Sequence, residues 1–486
     1  MRRRVAGLLV AVAVLGGGVA GCARTPTDPV ERAVAALTDE FEGSYPVDVR
    51  ERRGAVREYE LTAAPATLPM FDGRPLAVWA YNDRVPGPIL RATVGERLRV
   101  RFTNRLPVPT TVHWHGVRVP NPMDGTPGVT QPPVRPGETF VYEFVPKDAG
   151  TFWFHPHLRS SEQVERGLFG VLVVDEPKPP PYSRDVVWVV DDWRLTREGA
   201  IDPSFVTRHD LMHDGRWGSF VTVNGKLREV LEVRPGERVR LRLVNTANGR
   251  VFAPDFSPLD ARVIAVDGMY AARPLEPKGF EIAPGNRLDL DVTIPVDGAG
   301  RTLEIVDRFI ARQPFVLATI RVAGEPVATP AFASPADATV PAWNEARTVP
   351  PAHRLELDAR QGGPYGIQWT LNGAAYVEPP AADAAAHPED HSHHGTLAFP
   401  RDRFLRVRFV NVSYRLHPMH VHGMFFKVLA RNEKPVDEPY WRDTTLVHAQ
   451  ETVDVGMVPI DPGRWMLHCH VLEHAEAGMM TLVLVP

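Results

Sequence analysis

Gly95-Glu96-Arg97-Leu98-Arg99-Val100-Arg101-Phe102-Thr103-Asn104 sets arginine and apolar residues in alternation. Successive side chains on a strand point to opposite faces, so this stretch reads as a strand with one wet and one buried face. The pattern returns as Gly236-Glu237-Arg238-Val239-Arg240-Leu241-Arg242-Leu243-Val244-Asn245. It returns again as Asp402-Arg403-Phe404-Leu405-Arg406-Val407-Arg408-Phe409-Val410-Asn411. Self-similarity of this kind marks repeated structural units. From Val56 onward the chain reads as alternating strands broken by Pro/Gly turns, and the three copies predict three homologous β-sandwich domains.

Composition agrees. A chain of 486 residues exceeds what one core supports, and 48 Pro with 38 Gly favour short strands and many turns over long helices. The net charge of −4 argues against a nucleic-acid partner. Pro177 to Pro181 and the Pro/Ala-rich stretch Pro326 to Pro341 read as linkers. The expected units are residues 56–178, 185–325 and 342–486.

Ahead of them, Met1-Arg2-Arg3-Arg4 and the apolar run Val5 to Val19 form an export signal too short for a membrane span. Val19-Ala20-Gly21-Cys22 resembles a bacterial lipobox. The expectation is a signal peptide over 1–21, then a tether over 22–55 held to a membrane by lipid on Cys22. Asp28-Pro29 and Gly43 suggest one short helix within that tether. The second cysteine is Cys469, so no disulfide is expected, and stability must come from core burial and bound metal.

The histidines fall into register with the repeats. Nine and eleven residues beyond Asn104 stand His113 and His115, and the same offsets from Asn411 give His420 and His422. In the middle unit those offsets give Pro254 and Phe256, which bind no metal. A second register sets Asp148-Ala149-Gly150-Thr151-Phe152-Trp153-Phe154-His155-Pro156-His157 on Asp461-Pro462-Gly463-Arg464-Trp465-Met466-Leu467-His468-Cys469-His470 without gaps. The outer units thus supply four His-x-His pairs in pseudo-symmetry. Pro156 stands where the third unit has Cys469. A Cys and two His with a weak axial Met make a blue-copper electron-transfer set, and His468-Cys469-His470-Val471-Leu472-Glu473-His474 with Met479 offers those donors. On a strand His468 and His470 point away from Cys469, so one residue of backbone can join separate metal sites.

These four motifs resemble those of the three-domain multicopper oxidases, the laccase-like family, over the chain from about residue 56 to its end. The resemblance implies an all-β fold of three cupredoxin-like Greek-key sandwiches and four copper ions. By this resemblance the type 1 copper takes His417, Cys469, His474 and Met479, and the type 2 copper takes His113 and His420. One type 3 copper takes His115, His155 and His470, and the other takes His157, His422 and His468. The implied activity passes electrons one at a time from substrate through the type 1 site and reduces dioxygen to water. Met479 as axial ligand implies a moderate potential. Asp124, in Met123-Asp124-Gly125, stands where such oxidases carry an acidic residue for proton delivery; a plain Asp-Gly turn is the alternative. Bacterial members often have an acidic residue directly after the second type 1 His. Here that position is Ala475, with Glu476 next, which puts a second proton route in doubt. Trp441-Arg442-Asp443-Thr444 resembles another recurring family segment, read as structural.

Eight histidines lie outside these sets. His209, His213, His353 and His448 read as surface or packing residues. His387, His391, His393 and His394, with Glu389 and Asp390, could hold a substrate metal ion or form a solvated linker. Only 11 Met and no Met-rich insertion leave the usual cuprous-oxidase signature missing. The expected substrates are phenols and aromatic amines, with oxidation of Cu(I), or of Fe(II), as the alternative. A nitrite reductase would not need the full eight-His set, and a non-catalytic copper-binding scaffold would be expected to lack ligands. A monomer is expected, exported to the outer face of the membrane or the periplasm.

Overall fold

The computed structural model describes residues 28–44, 55–71, 73–333, 339–377 and 395–486. The three arginine-alternating stretches become equivalent strands. Arg97–Asn104 pairs in parallel with Val56–Met70 and antiparallel with Thr139–Phe144. Arg238–Asn245 pairs in the same two senses with Arg184–Trp193 and Arg287–Thr293. Leu405–Asn411 does so with His353–Gln361 and Thr452–Met457. Each triplet is the centre of one sheet, and a second sheet faces it, which gives three cupredoxin-like sandwiches.

The wet face expected of the repeat strand is kept in the first unit, where the partly exposed Arg97 and Arg99 pair with Glu143, and in part in the third, where Arg408 is partly exposed while Arg406 is buried. In the middle unit Arg238, Arg240 and Arg242 are all buried. Arg238 pairs with Asp291 at 2.5 Å, Arg240 with Glu176 at 2.8 Å and Arg242 with Asp185 at 2.6 Å. Neighbouring structure covers that face, and a buried guanidinium persists only where carboxylates meet it.

The second sheets carry the histidines. In the first unit His113–His115 pairs antiparallel with Gly150–His155, so that His113 stands opposite His155. In the third, His417–Val421 pairs with Gly463–Cys469, which sets His420 opposite His468 and Met419 opposite Cys469. The two sequence registers are therefore neighbouring strands. The corresponding strand of the middle unit is the two-residue Pro254–Asp255 against Thr302–Asp307.

The short helix expected after Asp28 spans Pro29–Ser44. Its Leu37 and Phe41 are buried, and the Phe41 ring meets Trp441 edge-on at 5.3 Å between centroids. Among the described residues no helix is long and apolar enough to cross a membrane. The leader, Cys22 and the run from His387 to His394 lie outside the described residues.

Candidate metal centre

Pairing and pleat together decide which histidines meet. Ligand atoms of His115, His155 and His470 converge within 4.8 Å of one another, as do those of His157, His422 and His468, and those of His113, His115 and His420. Each group mixes first-unit and third-unit residues. His417, Cys469 and His474 form a further group with the same closeness, on the other side of the strand from His468 and His470. All ten histidines and Cys469 are buried. Met479 is fully buried too, and its carbonyl accepts from the Cys469 N–H at 3.0 Å.

The protons on these rings follow from their outer partners, because a carbonyl or carboxylate oxygen can only accept. Nδ1 of His113 donates to the Asp124 carbonyl at 2.7 Å, that of His155 to Pro156 at 2.9 Å, and that of His420 to Asp443 at 3.0 Å. Nδ1 of His468 donates to the Cys469 carbonyl at 2.8 Å, and Nδ1 of His422 to the Asp124 carboxylate at 2.9 Å. His115 is turned the other way, with Nε2 donating to Asp443 Oδ1 at 3.1 Å.

The inward nitrogens are therefore bare lone pairs. Nε2 of His113, His155 and His420 and Nδ1 of His115 are buried with no hydrogen-bond partner. The Nε2 atoms of His422 and His468 face each other at 3.1 Å, lone pair to lone pair. At the second group the Nδ1 atoms of His417 and His474 lie 3.3 Å apart, with Cys469 Sγ 3.6 Å from the first. Burial holds His417 and His470 well below the ordinary imidazole range, and holds His468 and His474 down at about 3. Protonation is thus no remedy for the facing lone pairs. Burial also pushes the Cys469 thiol far up, so a thiolate forms there only beside a cation. Neutral imidazoles and a thiolate converging in this way fit copper ions.

Two carboxylates hold the rings in place. Asp124, buried at the end of a 3₁₀ turn over Asn121–Met123, accepts from His422 and from Thr126 Oγ1 at 2.6 Å. Asp443 meets His115 with Oδ1 and accepts from Arg287 Nη2 with Oδ2 at 2.6 Å. Arg287 is fully buried and comes from the middle unit. Gly285, at φ +87°, brings the same loop against the rings: a Cβ there would lie 2.9 Å from His115 and 3.0 Å from His470.

Comparison with known proteins agrees with this geometry. Family models described as multicopper oxidase match residues 64–179, 184–300 and 366–486. The chain belongs to the multicopper oxidases. It is 28% identical to multicopper oxidase MmcO of Mycobacterium tuberculosis, over 98% of this chain and 95% of that one. It is 27% identical to a laccase of Trametes maxima, over 87% and 92% respectively. The crystal structure of a multi-copper oxidase from Pseudomonas thermotolerans is 33% identical, with a TM-score of 0.78 over 89% of this chain and all of that one. The protein is accordingly a copper-dependent oxidoreductase that uses dioxygen.

In this oxidase the residue that sequence reasoning undervalued is Asp443. The Trp441–Thr444 segment packs as expected, with Trp441 buried, yet Asp443 also orients two of the clustered rings. Its signal was weak, one acid in a stretch without histidine. Among the described residues none of the converging groups contains a side chain from 185–325, although Arg287 and Gly285 of that unit brace the cluster. His448 pairs with Glu281 at 2.8 Å, and His353 stacks on Phe399. The surroundings of the Cys469 group are closed. His417 Nε2 meets Ser413 Oγ at 3.0 Å, His474 Nε2 donates to the His213 carbonyl at 2.9 Å, and Trp369 lies against both rings.

Proposed function

We propose that the protein holds four coppers in the arrangement its family resemblance implies and couples one-electron oxidations to the four-electron reduction of dioxygen. His417, Cys469, His474 and Met479 would hold the type 1 ion, and His113 and His420 the type 2 ion. His115, His155 and His470 would hold one type 3 ion, and His157, His422 and His468 the other. The observation that carries this reading is the set of bare inward nitrogens, with His422 and His468 facing at 3.1 Å, beside a thiol that needs a cation. When bound, the coppers would take up electrons singly and deliver them to dioxygen, giving water.

The chain's own residues do the rest. His468-Cys469-His470 joins the two centres through one stretch of backbone, so electrons need no through-space jump. Asp124 holds the proton on His422 Nδ1 and accepts from Thr126 Oγ1, a position suited to proton delivery into an otherwise closed cluster. The units 56–178, 185–325 and 342–486 are the domains of this reading, and the middle one braces without ligating. We also infer export as a monomer, with lipid on Cys22 as the anchor.

The substrates of this reading are phenols and aromatic amines. A second reading, oxidation of Cu(I), has a specific observation in its favour. The outer nitrogen of His474 already donates to the His213 carbonyl and Trp369 lies against its ring, so this ring presents no free nitrogen to an organic substrate. Steady-state kinetics of the copper-loaded protein with a dimethoxyphenol and with Cu(I) decide between them. Turnover of neither, in protein carrying four coppers, would sink both readings.

A further inference from the structure

The segment that closes the His474 ring is itself a cluster of metal-binding side chains. The helix Arg208–Met212 is set by a capping box, in which Thr207 accepts from the Asp210 N–H and Asp210 accepts back. Its buried side is Leu211 and Asp210, the latter clamped by Arg194 at 2.6 Å. Its other side shows His209, with 73% of the side chain exposed, and Met212, 46% exposed. His213 follows, also exposed.

His209 and His213 are four residues apart, and their rings stack at 4.2 Å with 17° between planes. His213 Nδ1 donates to the His209 carbonyl at 2.8 Å, which leaves Nε2 as a lone pair. His209 Nδ1 lies 3.6 Å from Asp210 Oδ1, beyond hydrogen-bonding distance, so its ring is not committed to a partner on that side. Two stacked imidazoles four residues apart and an exposed thioether thus share the solvent side of this segment. Imidazole with thioether is a soft-to-borderline donor set, one that suits Cu(I) better than carboxylate sites do.

We propose that His209, Met212 and His213 form a docking site for a cuprous ion. The proposal rests on the Cu(I) reading above and specifies where the ion binds. The link to the redox centre is short: the residue that would hold the ion is the residue whose carbonyl accepts from His474 at 2.9 Å. Asp214, next in the chain, accepts from the Leu416 N–H at 2.9 Å and so ties this segment to the strand that starts at His417. Each docked Cu(I) gives up one electron and leaves as Cu(II). Four such oxidations, with four protons taken from water, reduce one dioxygen to two waters, which is the established use of dioxygen by this family. The site lies in the unit that supplies no ligand to the buried groups, so the middle domain acquires a role in substrate selection.

The test uses the copper-loaded, full-length protein with His387, His391, His393 and His394 replaced by Ser, which removes the competing imidazoles of that run. Ag(I), a redox-inert mimic of Cu(I), is titrated by calorimetry into this protein and into one that also carries H209S, M212L and H213S. The expected result is one Ag(I) site present in the first and missing from the second. The KM for Cu(I) should rise by at least the roughly 10–100-fold that follows loss of mere supporting partners of a metal ligand. A retained blue absorption band shows that the Cys469 group is still formed. Equal silver binding and equal KM in the two proteins overturn the site. A loss of phenol turnover as large as the loss of Cu(I) turnover overturns it too, because the segment would then only hold His474. If the parent protein fails to oxidise Cu(I) at all while binding Ag(I), the substrate reading fails and the docking role falls with it.

Discussion

The Asp443 carboxylate accepts from His115 and from Arg287 Nη1 through one oxygen and from Arg287 Nη2 through the other. Burial would raise its pKa, but the buried Arg287 guanidinium holds it well below the usual carboxylate range. Asn at this position must turn an NH₂ group toward a donor that already points inward. D443N should therefore loosen His115 and weaken the trinuclear cluster, while the His417–Cys469–His474 group is untouched. Copper content should fall and the near-ultraviolet type 3 shoulder should fade with the blue band retained; an unchanged shoulder would refute this. C469S should do the reverse, abolishing the blue band and turnover while the trinuclear signal stays. Asp124 poses a finer question, since it orients His422 and, in the function proposed above, would also deliver protons. D124N keeps the shape, so dioxygen reduction should slow by about 10²–10⁴-fold, typical of a lost general acid, with reduction of the type 1 copper little changed. Equal slowing of both steps would mean lost metal instead.

Strands were easier to read than what braces them. Alternation in Arg97–Asn104 announces a strand because period two is written into the side chains, and the offset from its terminal Asn to the His-x-His motif locates the ligands. The pairing of His113 with His155 and of His420 with His468 is the structural form of those two registers. Legibility stops where a contact joins residues far apart in sequence. Nothing around Gly285 says that this turn will rest on rings 170 residues before it and 185 after it, at His115 and His470. The buried arginine face of Arg238–Asn245 was likewise unreadable, since its pattern matches the half-exposed first copy and only the neighbouring unit covers it. The helix Arg208–Met212 could have been found, because Thr207 and Asp210 are spaced as a capping box. The loop at Gly285 offers a test at this scale. G285A forces a Cβ against His115 and His470 in a backbone conformation that L side chains rarely adopt. The variant should load fewer coppers in the trinuclear cluster and melt lower, and a fully loaded variant of equal stability would show that the turn can retreat.

At the scale of the whole molecule the outer units share an apolar cluster and also meet around a buried core of ionisable groups, with no disulfide among the described residues, Cys469 being free and buried. Such a core makes stability depend on pH and on metal. His468 and His474 are held by burial at about 3, against an ordinary value of 6.5. In the unfolded chain they bind protons as pH falls through the ordinary value, while in the folded copper-free protein they do not. The unfolded state therefore binds more protons between those limits, and stability must fall with pH across that window. Above the ordinary value their contribution is fully present. The other buried rings, His115, His155, His157, His417, His420, His422 and His470, are lowered for the same reason and add to the slope. Copper changes the balance, because an ion bound to the folded state alone stabilises it and keeps protons off the same lone pairs. The copper-depleted protein should thus lose melting temperature steadily between about pH 7 and about pH 4, whereas the loaded protein should hold its own until acid displaces the metal. Calorimetric scans of both forms across that range measure this directly. A copper-depleted protein as stable at the acid end as at neutrality would mean that these rings are already protonated in the fold, and the facing lone pairs of His422 and His468 would then not be the metal site they are taken to be.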